Sequence, residues 1–150
     1  MQHLEDFSSD AKDSISAADC IVYGAGTPFS SLLPSLSLKG AAKIISDREC
    51  PKIMVANLKK ETQNYFSVNQ LIRDLLKHAL KNSKENEKIP EKIITHLVVS
   101  NHDTSLKDKD YLIDYSRAEL NKEFPWIKII ESDLAHPKKK FQHDGNKRSE

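Results

Sequence analysis

The sequence predicts an α/β protein, a Rossmann-like open parallel sheet of about four strands with helices on both faces. Two observations carry this expectation. Short apolar runs alternate with longer segments whose apolar residues recur every three or four positions, and strands separated by helices pair in parallel. The first apolar run, Cys20 to Tyr23, feeds directly into Gly24-Ala25-Gly26-Thr27-Pro28-Phe29-Ser30-Ser31, the composition of a tight strand-to-helix turn.

The elements follow in order. Residues Ser9 to Ala18 carry Ala11, Ile15 and Ala18 at helical spacing, with Ser9 or Asp10 able to cap the helix. Cys20 to Tyr23 is a buried strand. Phe29 to Leu38 holds Leu32, Leu33, Leu36 and Leu38 and predicts a short or broken helix, limited by Pro34. Gly40 precedes a helix that ends near Arg48. Lys52 to Asn57 is the second strand, and a polar loop runs from Leu58 to Tyr65. The clearest helix spans Ser67 to Lys81, where Val68, Leu71, Ile72, Leu75, Leu76 and Ala79 form one stripe and Ser67 is the N-cap. Asn82 to Lys92 is a charged loop. Ile93 to Val99 is the third strand, Asp110 to Glu123 looks helical, and Trp126 to Ile130 is the last strand. Crossovers are expected to be right-handed.

The totals bound the function classes. A chain of 150 residues suits one ordinary domain, here 1–137, followed by a polar, lysine-rich tail at 138–150. With 30% charged residues and a net charge of +1, no global field argues for nucleic acid. Neither Cys20 nor Cys50 has a partner at metal-ligand spacing, so both read as reduced thiols, no metal site is expected through them, and the compartment is expected to be cytoplasmic. The polar, acidic N-terminus does not read as a targeting signal. No run of roughly 18 apolar residues suggests a membrane helix.

The functional reading centres on the loops at the carboxyl ends of the strands, where open parallel sheets bind ligands. Three such loops are rich in small hydrogen-bonding residues: Gly24 to Ser31, the loop from Asn57, and Ser100 to Ser105. Outward amides at a glycine turn leading into a helix favour an anion, and the glycines offer backbone angles closed to other residues. The candidate ligand-binding residues are Gly24, Ala25, Gly26, Thr27, Ser30, Ser31, Asn57 and Asn101. The pattern is neither G-x-G-x-x-G nor a P-loop. His102-Asp103 is a weaker acid-base candidate at a strand end, and Asp103, Asp108 and Asp110 alternate with lysines as a solvated loop does. His96 reads as a structural histidine and His78 as an exposed one.

The segment AADCIVYGAGTPFSSLLPSL resembles the CofD/YvcK family, the 2-phospho-L-lactate transferases and gluconeogenesis-factor-like proteins. Ala18-Asp19, Gly24, Gly26, Ser31, Pro34 and Leu36 fit the family pattern, PKIMVANL is similar to its next strand ending at Asn57, and His143, Asp144 and Lys147 resemble its closing element. The resemblance runs from about Ser9 to the C-terminus and covers the family's second half. It implies binding of a phosphorylated small molecule, a nucleotide or nucleotide-sugar. It also implies a transferase of a phosphate-linked group that uses Mg²⁺, with a homodimer or a separate N-terminal half completing the site. Departures accompany it. Nothing matches the family's N-terminal Gly-Gly-Thr-Gly turn. Its Pro-Gly-Glu-Thr-x-Gly loop is reduced to Lys60-Glu61-Thr62, its Asp-His is Asn69-Gln70, and Ala25 replaces a proline. These favour a second expectation, a non-catalytic scaffold or interaction domain derived from the same fold.

Overall fold

The computed structural model describes residues 8–24, 26, 28–57, 67–81, 90–100, 113–132 and 134. Helix α1 (Ser9–Ala17) precedes strand β1 (Ile21–Tyr23). A π-helical turn (Pro28–Leu32), α2 (Leu33–Leu36) and α3 (Ala41–Ser46) lead to β2 (Lys52–Val55). Then come α4 (Val68–Leu80), a 3₁₀ turn (Pro90–Lys92), β3 (His96–Ser100), α5 (Arg117–Glu123) and β4 (Lys128–Ser132). The four strands form one sheet in the order β1-β2-β3-β4, with every pair parallel. No described helix is long and apolar enough to cross a membrane.

One row of the register explains the core. Tyr23 pairs with Met54, Met54 with Leu97, and Leu97 with Ile129. All four point to one face and are buried. The stripe of α4 predicted from its periodicity, Val68, Leu71, Ile72, Leu75, Leu76 and Ala79, is buried in the same cluster. Leu33, Leu36, Ala42, Ile45 and Leu120 join it from the other helices. Ser67 caps α4 as its spacing suggests, accepting from the Gln70 amide at 3.3 Å.

The parallel α/β sheet agrees with the sequence reading, but its layering is narrower. Most buried helical side chains among the described residues belong to the cluster that includes Tyr23, Met54, Leu97 and Ile129; buried Ala41, Ser46 and Asn69 lie outside it. The physical reason is topological. Right-handed crossovers that step in one direction across a sheet lay all their helices on the same side, and a second helical layer requires the strand order to reverse. Here it does not reverse.

Several boundaries move for local reasons. The α1 cap is Ser8, whose hydroxyl accepts from the Ala11 amide at 3.2 Å, rather than Ser9 or Asp10. Of the segment expected to be helical over 110–123, the described residues 113–123 form α5 alone. Before α5, Asp114 makes a parallel bridge with Ser67 and its carbonyl accepts the Val68 amide at 2.9 Å. That pairing holds the chain extended until Ser116 caps α5. Ile93 and Ile94 lie before β3, where their amides fold back on the Pro90 carbonyl. Trp126 lies in a turn before β4 and meets Phe124 edge-on, with ring centroids 5.8 Å apart. The 138–150 tail lies outside the described residues.

Polar bonds tie the amino ends of the strands together. Arg48 donates from Nη2 to the Ala18 carbonyl at 2.7 Å, and buried Lys52 donates from Nζ to the Arg48 carbonyl. Tyr23, only 4% exposed, donates from Oη to the Ile93 carbonyl at 2.7 Å. Burial, with a smaller contribution from Cys50, pushes its phenol well above the usual range, so it stays a neutral donor. Tyr23→Phe keeps the ring but leaves the buried Ile93 carbonyl without this donor. Urea unfolding is expected to show a loss of about 1–3 kcal/mol.

Candidate functional site

The glycine turn leaves the carboxyl end of β1, the edge strand. Gly24 and Gly26 are exposed, and among the described residues neither amide donates to a partner. Their role differs from the one expected. Among the described residues only Gly40 has a left-handed backbone (φ 86°), so the turn does not depend on angles reserved for glycine. What the glycines provide is bare space. A Cβ added at Gly24 meets nothing within 4 Å, and one at Gly26 reaches only the Ser31 Cβ at 3.9 Å. A ligand could approach this backbone without displacing a side chain.

The neighbouring strand braces the turn. The Ala56 amide donates to the Val98 carbonyl at 2.9 Å, extending the sheet pairing just past β2. This places Asn57, whose Nδ2 donates to the Gly26 carbonyl at 3.1 Å. Two predicted site residues from separate loops are thereby joined, and the Gly26 carbonyl is engaged by a side chain. Ser30 and Ser31 are exposed in the π-helical turn, and their hydroxyls make no hydrogen bond among the described residues. Further along, Ser35 Oγ donates back to the Ser31 carbonyl at 3.4 Å. The helix after the turn is five residues of π geometry and four of α. A segment this short has little summed dipole, so anion affinity here rests on individual amides and hydroxyls.

Ala25, Thr27 and Asn101 lie outside the described residues, as do His102, Asp103, Asp108 and Asp110. His96 is half-buried with Nδ1 2.8 Å from Thr95 Oγ1, a structural contact. His78 is half-buried rather than exposed, with Nδ1 2.8 Å from the Asp74 carbonyl oxygen on the same helix. Both cysteines are free. No cluster of three or more His, Cys, Asp or Glu side chains able to hold a metal occurs among the described residues.

A second polar feature was missed by the sequence reading. A groove of about 550 Å³ is lined by Ser67, Asn69, Arg73, Glu119, Lys122 and Glu123. Glu123 accepts from Arg73 Nη2 at 2.8 Å and from buried Asn69 Nδ2 at 3.0 Å. The Arg73 bond, followed by that of Asn69, draws the Glu123 carboxyl below its usual range against the opposing effect of desolvation. Arg73 and Lys122 face two carboxylates, Glu119 and Glu123, so the groove is balanced in charge and has no excess for an anion. No local pattern announces it, because Arg73 and Glu123 are 50 residues apart.

The depressed carboxyl gives a signed pH dependence. Its contribution is present above the unfolded carboxyl value and is lost as pH falls through the lower folded one. Glu123→Gln is expected to lower Tm slightly at pH 7, as for an exposed ion pair. The difference from the parent should close as both are acidified below the normal glutamate range. Thermal melts across a pH series check this.

With the geometry in place, comparison with known proteins is informative. Two crystal structures of protein BH3568 from Bacillus halodurans share the fold. One matches with TM-score 0.69 at 16% identity over 85% of this chain and 40% of that chain. The other, described as a member of the UPF0052 family, matches with TM-score 0.71 at 14% identity over 89% of this chain and 42% of that chain. The chain therefore spans about two fifths of the length of these relatives. No curated protein matches it significantly. The family model described as 2-phospho-L-lactate transferase CofD matches residues 3–134, and on that extent the chain belongs to the CofD family.

Proposed function

We propose that this chain binds the phosphate of a nucleotide or nucleotide-sugar at residues 24–31, and that it contributes this site to a transferase of a phosphate-linked group. The observation that carries the reading is the exposed, side-chain-free backbone at Gly24 and Gly26, braced by the Asn57–Gly26 bond. Family membership supports the transferase class.

The chemistry of the turn follows from its atoms. The amides of Gly24 and Gly26, which have no partner among the described residues, and the hydroxyls of Ser30 and Ser31 are all donors for phosphoryl oxygens. Such donors, fixed before the ligand arrives, stabilise negative charge without reorganising during reaction. Asn57 holds the Gly26 carbonyl and so limits how far the turn can rotate. Asn101 belongs to the same proposed set through its position beyond β3. The turn contains no acid or base. Its assigned work is to bind and orient the phosphate, while the reacting groups come from elsewhere.

Magnesium, implied by the resemblance, finds no fit among the described residues. That ion takes carboxylate and phosphate oxygens in octahedral geometry, and no acidic cluster stands at this turn among the described residues. No step is therefore derived through it.

A second reading draws on one specific observation. The loop after β2 carries Lys60-Glu61-Thr62 where the resembling family has Pro-Gly-Glu-Thr-x-Gly, which favours a scaffold or interaction domain that has lost catalysis.

Thermal melts with GDP, a UDP-sugar and inorganic phosphate separate the two. A ligand at a hundred times its dissociation constant should stabilise the protein by about 2.7 kcal/mol. Gly24→Val is expected to leave the Tm of the free protein nearly unchanged, because a Cβ at this exposed position meets nothing within 4 Å, and to abolish the ligand-induced rise. No rise with any of the three probes rejects the binding reading and favours the scaffold.

A further inference from the structure

The groove between α4 and α5 holds polar groups that the fold leaves unspent. Asn69 and Arg73 stand one turn apart on α4, and Glu119, Lys122 and Glu123 share one face of α5. Part of this set is structural. Arg73 donates from Nε and Nη2 to the two oxygens of Glu123, and from Nη1 to Gln70 Oε1 at 3.4 Å. The pair is neutralised, and its guanidinium has little left to offer a guest.

Asn69 is the informative member. It is 6% exposed, and its amide nitrogen must be the atom that faces Glu123, because an ionised carboxylate only accepts. Oδ1 is then the other atom, and it accepts nothing among the described residues. Nor is it sealed, since among those residues Arg48 Nε is the one buried side-chain polar atom without a partner. Asn69 Oδ1 therefore opens on the groove, held there by the chain of bonds from Arg73 through Glu123. An acceptor fixed in advance costs a guest little to engage.

Three more groups have no hydrogen-bond partner among the described residues. They are the Lys122 ammonium, the Glu119 carboxylate and the hydroxyl proton of Ser67, whose oxygen already accepts from the Gln70 amide. The groove thus sets one cation and one hydroxyl donor against one carboxylate and one amide acceptor, within about 550 Å³. A simple anion meets a carboxylate here, and a metal ion meets a lysine. A guest that carries both charges finds a partner for each. We propose that the α4–α5 groove binds a small zwitterion of the α-amino acid class. Its ammonium donates to Glu119 and to Asn69 Oδ1, and its carboxylate accepts from Lys122 Nζ and the Ser67 hydroxyl. The site shares no residue with the glycine turn and stands if the phosphate reading fails.

Thermal melts and amide chemical shifts of the full chain test this, with pools of the standard amino acids at about 10 mM, enough to fill a site of millimolar affinity. At least one pool is expected to raise Tm and to move the Asn69 side-chain amide together with the backbone amides of Ser67, Glu119 and Lys122. For the amino acid responsible, the N-acetyl derivative and the carboxamide each lack one charge. Each is expected to bind about tenfold more weakly, the loss of one hydrogen bond to a charged group. Glu119→Gln and Lys122→Met lie at exposed positions whose side chains make no hydrogen bond in the fold. Both are expected to melt like the parent and to weaken binding to a similar degree. Should a variant melt early, the derivatives decide by themselves. No response to any pool, shifts centred away from these residues, or equal binding of the singly charged derivatives would overturn the proposal.

Discussion

Four parallel strands laid down in chain order constrain nearly everything else in this molecule. Among the described residues, most buried helical side chains join the cluster that includes Tyr23, Met54, Leu97 and Ile129. The order also makes β1 an edge, so that the glycine turn leaves the sheet at its border rather than from its middle. The turn is consequently open to solvent on one side and braced by β2 on the other, through Asn57. Strand order thus links packing to the accessibility of the candidate site.

Two different kinds of polar work are separated in space. At the amino ends of the strands, Arg48, Lys52, Thr95 and Tyr23 spend their donors on backbone oxygens and on one another. Most buried polar groups there are paired, Arg48 Nε being the exception among the described residues. At the carboxyl ends, the Gly24 and Gly26 amides and the Ser30 and Ser31 hydroxyls have no described partner. Exposure makes this tolerable, since water can satisfy them. One end of the sheet is built for stability and the other keeps its donors available.

Much of the fold was legible in the sequence. The stripe of α4 and its Ser67 cap are local patterns, and they hold residue by residue. The apolar runs mark the strands to within a few residues. Illegible features share a cause, which is that they depend on partners far along the chain. The segment before α5 mimics helical spacing through Tyr111, Tyr115 and Ala118, yet pairing of Asp114 with Ser67 keeps its end extended. The cap of α1 was ambiguous because Ser8, Ser9 and Asp10 are all competent. Layering was illegible because it depends on strand order, which periodicity does not encode. At the site, the sequence set Gly26 and Asn57 at neighbouring strand ends, but the bond between them depends on tertiary placement that no local pattern encodes. The Arg73–Glu123 groove left no local trace.

The account stands or falls on whether the amides around Gly24 and Gly26 receive an anionic guest. A titration with GDP followed by amide chemical shifts reads those groups directly. The account predicts saturable shifts concentrated at Gly24, Gly26, Ser30 and Ser31 and at the Asn57 side chain. Shifts centred instead on Arg73 and Lys122, or none at millimolar nucleotide, would contradict it.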